Sequence, residues 1–452
     1  MPSSRVLRTI GAALLATTLV APAAQAAPSA VADPTRETGR PLAELLAPDG
    51  TLRTDTGFTG TVDLAGWSLA GGIMAGAAPR FTRTPGGTAA GARSVRPAAV
   101  GDWSALGSNG PGTGAFAQSV LAIAISGTDV YVGGYFVNAA GIPEADRIAK
   151  GNGSTWSALG SNGSGDGALN SYVFKIAISG AGIYVGGNFT NAAGIPEADN
   201  LAKWNGATWT AIGSNGSGDG AINAPVVTIA ISGADIYVDG YFTNAAGIPE
   251  ADYIAKWNGS AWSALGSNGS GGAAMGGDVR AIAAAGNGDI YAAGNFTNAG
   301  GVATADGVAR WNGTTWSGLG SNGSGDGAVS TMVSAVAVSG TTVYIGGGFT
   351  NVAGIATADY VAKWNGSTWS ALGSNGSGDG ALNFNVFAVA TSGTTVYVGG
   401  NFTNAGGIGT ADYLAKWNGS AWSAVSAGQA IDAAVYAITT SGSTVYIGGG
   451  FS

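Results

Sequence analysis

The chain has 452 residues, a formal net charge of −8 and only 10% charged residues. It contains neither cysteine nor histidine, which excludes disulfides, a thiolate nucleophile, an imidazole base and the usual Zn, Cu and haem sites. An acidic chain without a basic patch lacks the clustered Lys and Arg that neutralise phosphates, so we expect no nucleic-acid partner.

Residues 1–26 have the pattern of a secretory signal peptide. Arg5 and Arg8 precede an apolar run from Ile10 to Val20, and a small-residue cleavage sequence ends at Ala26. We therefore expect cleavage near Ala26 and a protein that is secreted or held at the cell surface. The apolar run is too short to span a bilayer, so we expect no membrane span in the mature chain. An uncleaved anchor is the alternative.

Residues 27–94 share no period with the rest of the chain. The composition predicts a linker, a helical turn over residues 41–46 and two or three short strands around Trp67. No chemistry follows from this segment.

Residues 95–452 repeat one unit of about 53 residues. A tyrosine recurs at intervals of 49 to 54 residues, at Tyr131, Tyr184, Tyr237, Tyr291, Tyr344, Tyr397 and Tyr446. A tryptophan recurs with it, at Trp103, Trp156, Trp209, Trp262, Trp316, Trp369 and Trp422. A period near 50 with several short strands per unit is typical of a β-propeller.

Each unit contains four strand-like runs. In one unit these are Phe174–Ser179, Gly182–Gly186, Asn200–Trp204 and Thr208–Ile212, with an Asn-Gly hairpin signal at Asn205. The unit is therefore predicted to be a four-stranded antiparallel meander. Small residues in the first run suit the innermost strand, and paired tryptophans suit the wider outer strands. Gly151 replaces the first tryptophan of one pair, so we expect that blade to pack less tightly.

The hydrophobic-Tyr-hydrophobic-Gly-Gly run, its loop, and the Trp204-Asn205 pair followed by Trp209 resemble the kelch repeat. The longer repeat segments, of the form VYVGGNFTNAAG and AKWNGSTWSALG, are similar to kelch-like repeats of secreted bacterial proteins and of the fungal cortical cell-polarity marker family. The galactose-oxidase branch of this family implies a copper site built with histidine and a Tyr-Cys link. This chain has neither histidine nor cysteine, so that activity does not carry over.

The unit count predicts an all-β, seven-bladed kelch-like propeller of four-stranded antiparallel blades. Its last blade has only the strands up to Val445–Gly448 from the C-terminus, so we expect Val95–Val100 and Trp103–Leu106 to complete it and close the ring. A closed ring favours a monomer. A fragment of a longer array is the alternative.

Six Asp–Lys/Arg pairs, four residues apart, recur with the repeat. They are Asp146 with Lys150, Asp199 with Lys203, Asp252 with Lys256, Asp306 with Arg310, Asp359 with Lys363 and Asp412 with Lys416. We interpret the Asp as a partner for loop amides and the basic residue as solvated.

The residues that lead into the inner strand vary between units while one valine stays constant. They lie at the mouth of the predicted channel, on the face with the longer loops. We hypothesise a ligand-binding surface there, lined by Tyr172, Lys175, Asp278, Arg280, Phe384 and Asn385. Neutral drift of exposed positions is the alternative.

Three Gly-rich loops space oxygen-bearing side chains at positions 1, 3, 5 and 9, as in the short calcium loops of integrin-type propellers, which they resemble. The residues are Asn162, Ser164, Asp166 and Asn170; Asn215, Ser217, Asp219 and Asn223; and Asn375, Ser377, Asp379 and Asn383. One carboxylate per loop predicts weak Ca²⁺ binding at most, and we expect no other cofactor. A glycine-rich turn capped by Asp is the alternative.

The composition and repeat favour an exported, non-catalytic propeller that binds a protein or a glycan at the cell surface. An extracellular carbohydrate-active enzyme, using carboxylate or tyrosine chemistry, is one alternative. Against it, the three glutamates of the repeat, Glu144, Glu197 and Glu250, lie in equivalent loops, whereas a glycosidase needs two carboxylates in unequal environments. A structural envelope protein is the other alternative.

Overall fold

The computed structural model describes residues 46–47, 104–107, 114–329, 331–425 and 431–451, together with four short strands nearer the N-terminus. The chain divides into two compact units, Met1–Ala99 and Val100–Ser452. In the first unit, β1 (Arg40–Pro41) pairs in parallel with β2 (Val62–Asp63), and β3 (Trp67–Leu69) pairs antiparallel with β4 (Phe81–Arg83). The predicted signal peptide lies outside the described residues.

The second unit contains six four-stranded antiparallel sheets, each built from consecutive strands. Blade 1 consists of β5 (Val120–Ser126), β6 (Asp129–Gly134), β7 (Ile148–Gly151) and β8 (Trp156–Ser157). Blade 2 consists of β9 (Val173–Ser179), β10 (Gly182–Gly187), β11 (Leu201–Trp204) and β12 (Trp209–Ala211). Blade 3 consists of β13 (Val226–Ser232), β14 (Asp235–Gly240), β15 (Ile254–Trp257) and β16 (Trp262–Ser263).

The other three blades repeat this order. Blade 4 consists of β17 (Asp278–Ala284), β18 (Ile290–Asn295), β19 (Val308–Trp311) and β20 (Trp316–Gly318). Blade 5 consists of β21 (Val333–Ser339), β22 (Thr342–Gly347), β23 (Val361–Trp364) and β24 (Trp369–Ala371). Blade 6 consists of β25 (Val386–Ser392), β26 (Thr395–Gly400), β27 (Leu414–Trp417) and β28 (Trp422–Ala424).

The prediction of seven four-stranded blades is wrong, because the described residues form six. After blade 6 the chain forms only a two-stranded hairpin, β29 (Val435–Ser441) and β30 (Thr444–Gly449), here called the C-terminal hairpin. Of the strands expected to complete it, Val95–Val100 and Trp103 lie outside the described residues, and residues 104–107 form no strand. The count of seven recurring tyrosines gave one blade too many, because only six of them are followed in the chain by a complete third and fourth run.

The C-terminal hairpin packs between blade 6 and blade 1. Its strand β29 contacts β25 on one side and β5 on the other, so the inner strands follow one another in a closed cycle. Gly448 of the hairpin meets Val120 of blade 1 as Gly186 of blade 2 meets Val226 of blade 3, where an added Cβ would lie 2.6 Å from the valine Cγ1. The constant valine is therefore the residue on which each blade or hairpin packs against its neighbour.

Tryptophans link the outer strands. In five blades two indole rings lie 5.4 to 5.6 Å apart, as the paired pattern predicts. The second ring of each pair also donates from Nε1 to a backbone carbonyl of the preceding blade, as Trp209 does to Leu159 at 2.6 Å. In blade 1, Phe116 packs edge-on against Trp156 with ring centroids 4.8 Å apart. Phe116 thus supplies an aromatic contact in the blade where Gly151 removes one.

Each of the long loops is held by the recurring aspartate. Asp146 Oδ1 accepts a hydrogen bond from the Asn138 N–H at 2.7 Å, and the same bond recurs in every blade. The asparagine adopts a left-handed conformation, which asparagine tolerates better than most residues. The basic residue four positions later does not pair with this aspartate. Lys150 and Lys256 instead contact the first residue of the second strand, and Arg310 contacts Asp289 just before it, all at 2.8 Å.

Candidate functional site

The leading residues of the inner strands and the residues after the second strands lie at one end of the propeller, because these strands are antiparallel neighbours. Backbone bonds join the two sets: the Asn188 N–H donates to the Tyr172 carbonyl at 2.9 Å, and the Tyr135 N–H donates to the Ser119 carbonyl at 3.0 Å. We call this end of the inner strands the channel mouth.

Four aromatic side chains from blade 6, the C-terminal hairpin, blade 1 and blade 2 lie along the channel mouth. Phe387 and Tyr436 have ring centroids 5.5 Å apart, and Tyr135 and Tyr172 have centroids 4.3 Å apart. Tyr135 also lies within electrostatic range of Tyr436, and burial together with these two tyrosines raises the pKa of Tyr135. We call Phe387, Tyr436, Tyr135 and Tyr172 the aromatic arc.

The aromatic arc is open to solvent. Tyr135 and Tyr436 are each 37% exposed and Tyr172 is 40% exposed, in a ring whose other large apolar side chains are mostly buried. Exposed clusters of large aromatic rings are uncommon on soluble proteins and often mark binding surfaces.

Arg147 fixes one end of the arc. Its guanidinium donates from Nη1 to the Tyr135 carbonyl, and its Cζ lies 5.2 Å from the centroid of the Tyr172 ring. A cation over a tyrosine face is attracted by the ring quadrupole. The residue thereby links Tyr135 to Tyr172 across the two blades.

Five of the six residues predicted to bind a ligand occupy three sectors of the mouth. Tyr172 belongs to the aromatic arc, and Phe384, 51% exposed, precedes the inner strand of blade 6. Asp278 and Arg280 form an ion pair of 3.6 Å on β17. The Asn385 carbonyl accepts a hydrogen bond from the Asn401 N–H at 3.1 Å. The structure joins Asp278 to Arg280 by this ion pair. The binding role of all six residues stays a prediction.

The sixth predicted residue, Lys175, belongs to a group of polar side chains below the mouth. Most inner strands pair a small residue, two positions after the constant valine, with a small residue of the second strand. Ala122 pairs with Gly133 in this way. Two blades differ: Lys175 pairs with Gly186, and Thr228 pairs with Asp239. We call Lys175, Thr228 and Asp239 the polar sector.

The carboxylate of the polar sector is fully buried. Asp239 has 0% of its surface exposed, and its Oδ1 accepts a hydrogen bond from the Thr228 N–H at 3.0 Å. Its Oδ2 has no hydrogen-bond partner among the described residues. Burial raises the pKa of Asp239 well above its ordinary value, and the Thr228 N–H and the Lys175 ammonium oppose that rise.

Lys175 is half-buried and forms no direct ion pair with a described residue. Its ammonium lies deep in the molecule, and burial lowers the pKa of this lysine while the attraction of Asp239 raises it. A buried carboxyl group and a lysine amine therefore share one sector without a direct ion pair between them. Perturbed groups of this kind are candidates for a functional site.

The sequence contains a signal for the polar sector that pattern analysis passed over. Asp239 stands where four other second strands and the C-terminal hairpin have the first glycine of a Gly-Gly pair. The sequence did not reveal the aromatic arc or its contact with Arg147, because these contacts depend on which blades are neighbours in the ring. No single unit of the repeat reveals that relationship.

The predicted calcium loops have their amide oxygens engaged by protein donors. Asn162 Oδ1 accepts from the Ser164 N–H at 2.7 Å, and Asn170 Oδ1 accepts from the Thr190 N–H at 3.0 Å. The other two loops repeat both bonds. Asp166 and its equivalents are exposed. Calcium binding is untested by these contacts and stays a prediction.

Two further observations concern the part of the chain that the structure describes. It contains no cluster of three or more carboxylate, histidine or cysteine side chains arranged to hold a metal ion. Nor does it contain a helix long and apolar enough to cross a bilayer.

No protein-family model and no curated protein matches the sequence. Solved propellers resemble the structure at low identity. YCF48 bound to D1 peptide is 13% identical, with 74% of this chain and 90% of that chain covered and a TM-score of 0.45. YCF48 from Cyanidioschyzon merolae is 15% identical, covering 74% and 94%, with a TM-score of 0.40. The WD40 propeller domain of Doa1 is 9% identical, covering 74% and 91%, with a TM-score of 0.41.

These similarities are too distant to bear on function. The propeller fold of this chain rests on its own strand order and on the closed cycle of inner strands. The kelch resemblance stays a prediction.

Proposed function

We propose that this chain is an exported, non-catalytic binding protein that holds a protein or a glycan of the cell surface against the aromatic arc. Export is proposed from the leader pattern of residues 1–26. Binding at the channel mouth is proposed because propellers serve chiefly as scaffolds whose loops and channel ends carry the site.

The observation that carries the proposal is the exposure of the arc. Tyr135, Tyr172 and Tyr436 lie at neighbouring positions of the channel mouth, and each keeps 37 to 40% of its surface exposed. Rigid aromatic rings supply contact area at low conformational cost, which is why they dominate binding hot spots.

The test is a combined glycan and protein array probed with the mature chain, followed by titration of each ligand found. We expect Tyr172→Ala and Tyr436→Ala to weaken binding at least about tenfold, since aromatic hot spots contribute about 2 kcal/mol or more. Tyr241→Ala is the matched control, because Tyr241 is 41% exposed after the second strand of blade 3 and lies outside the arc. Equal loss in the control, or no loss in the arc variants, would contradict the proposed site.

A further inference from the structure

The polar sector breaks a pattern that the rest of the ring obeys. At the same register, blades 1, 5 and 6 and the C-terminal hairpin pair alanine with glycine, and blade 4 pairs Ala281 with Ala293. A buried carboxylate costs on the order of several kcal/mol unless it is well paired. Since small residues suffice in five of seven positions, the fold does not require Asp239 or Lys175.

Both hydrogen-bond donors and acceptors near the mouth lack partners. Asp239 Oδ2, Arg280 Nε and Asn401 Oδ1 are buried atoms without a partner among the described residues. The Lys175 ammonium also has no described acceptor. Of these groups the Lys175 ammonium lies closest along the chain to the aromatic arc, and a ligand hydroxyl that accepts from it would give it a partner.

Lys175 and the aromatic arc are positioned for one ligand. Lys175 follows Tyr172 by three residues on the chain, which corresponds to about 10 Å along a strand. An oligosaccharide can therefore stack one ring on the arc while a neighbouring hydroxyl reaches Lys175. Exposed tyrosine rings can stack on the flat C–H face of a pyranose.

The acidic loops around the mouth disfavour an acidic glycan, even though Arg147, Arg280 and Lys175 lie at or below the mouth. Glu144, Glu197, Glu250 and the exposed Asp166 and Asp219 lie in loops at this end of the propeller. These carboxylates repel a polyanion, and the chain as a whole has a net charge of −8.

We propose that the channel mouth binds a neutral oligosaccharide, with the aromatic arc stacking on a pyranose and the Lys175 ammonium donating to its hydroxyls. Asp239 is a positioning residue, because it is buried and acts on the ligand only through Lys175. This inference rests on the proposed function and adds the ligand class and the residue that selects it.

The experiment titrates the mature chain with three sets of probes: neutral oligomers of glucose, galactose, mannose and N-acetylglucosamine, oligomers of galacturonic acid, and acidic and apolar peptides. The variants Lys175→Ala and Asp239→Gly restore the residues found at the same register in other blades, so we expect both to fold. Lys203→Ala is the control, because Lys203 also belongs to blade 2 but lies over the Tyr184 ring, 5.3 Å from its centroid.

We expect at least one neutral oligomer to bind, with affinity reduced at least about tenfold by Lys175→Ala and unchanged by Lys203→Ala. Asp239→Gly should weaken binding less than Lys175→Ala does. The weakening should increase as the pH rises above neutral, because this variant lacks the carboxylate that favours the protonated form of Lys175. Binding of uronates or peptides without neutral oligomers, no binding of any neutral probe, or full binding by Lys175→Ala would each overturn the inference.

Failure of the inference can be separated from failure of the proposed function. If a peptide binds and Tyr172→Ala abolishes that binding, the arc is the site and the neutral glycan is excluded. If a neutral oligomer binds equally well to Tyr172→Ala and Tyr436→Ala, the proposed site is wrong.

Discussion

Trp209 Nε1 donates a hydrogen bond of 2.6 Å to the carbonyl of Leu159, fifty residues earlier in the chain. The bond joins the outer strand of blade 2 to the end of blade 1, and it recurs for Trp156, Trp262, Trp316, Trp369 and Trp422. In blades 2 to 6 one bond therefore couples each sheet to the one before it, while Trp156 of blade 1 donates to Leu106, which belongs to no sheet.

Replacing Trp209 by phenylalanine tests this bond. We expect Trp209→Phe to lower the free energy of unfolding by about 1 kcal/mol, beyond the effect of the smaller ring, because the Leu159 carbonyl loses its donor. Trp204→Phe is the control, since Trp204 is paired with Trp209 but its indole N–H has no protein acceptor among the described residues. Chemical denaturation of both variants gives the comparison, and equal losses would show that packing alone explains the pair.

Replacing one carboxylate oxygen of the recurring loop aspartate should lower the free energy of unfolding. Asp359 is 9% exposed, and its Oδ1 and Oδ2 accept from the N–H groups of Asn351 and Gly380 at 2.7 and 3.3 Å. We expect Asp359→Asn to cost about 2 kcal/mol, since one amide oxygen cannot serve both donors and hydrogen bonds to charged groups contribute more than neutral ones. Asp379→Asn, at an exposed position, should leave the denaturation midpoint unchanged. A similar loss in both variants would contradict the structural role.

The buried carboxylate should make stability depend on pH. Burial raises the pKa of Asp239 in the folded protein above its ordinary value of 3.8, so the folded state binds this proton more tightly than the unfolded state. Its contribution to stability is thus most favourable below pH 3.8 and is lost as the pH rises through the raised folded pKa. We expect Asp239→Asn to become more stable relative to the wild type as the pH increases over this window.

Thermal unfolding at a series of pH values measures this difference. Asp379→Asn again serves as the control, because its carboxylate is exposed. A stability difference between Asp239→Asn and the wild type that does not change with pH would contradict the prediction.

Calcium binding predicts a higher melting temperature in millimolar Ca²⁺ than in chelator. One carboxylate per loop limits each site to the weak end of the calcium range, about 10⁻⁴ to 10⁻³ M. The combined variant Asp166→Asn, Asp219→Asn, Asp379→Asn should abolish the rise. An unchanged melting temperature in the wild type would exclude calcium and leave these loops as turns closed by bonds such as Asn162 to Ser164.

Local patterns in the sequence predicted much of each blade. The Asn205-Gly206 signal marks a turn in which Asn205 Oδ1 accepts from the Thr208 N–H at 2.8 Å, and the pairing of Trp204 with Trp209 follows from the same hairpin. These features depend on residues within one unit. The number of complete blades does not, because a sheet needs all four runs and the last tyrosine, Tyr446, is followed by neither of the outer two.

The candidate site was only partly predictable for the same reason. Tyr172 could be chosen because it varies between units at an exposed position. Its neighbours Tyr135 and Arg147 come from the preceding blade, and Tyr436 comes from the far end of the chain. Their proximity is a consequence of ring order, which a comparison of aligned units does not contain. Asp239 could have been found by asking which unit has a charged residue at the position where most other units have glycine.

The bond from each outer tryptophan to the preceding blade also bears on how the chain reaches its native state. Because the tryptophan and its leucine or isoleucine acceptor are nearly the same in every unit, a nascent sheet can dock on the wrong copy of its neighbour with almost native contacts. Chains of near-identical modules are prone to such misassembly, including exchange of modules between molecules. Synthesis from the N-terminus limits the error, since at each moment the newest sheet finds only earlier partners. Refolding of the denatured protein should accordingly be slower and less complete than its first folding.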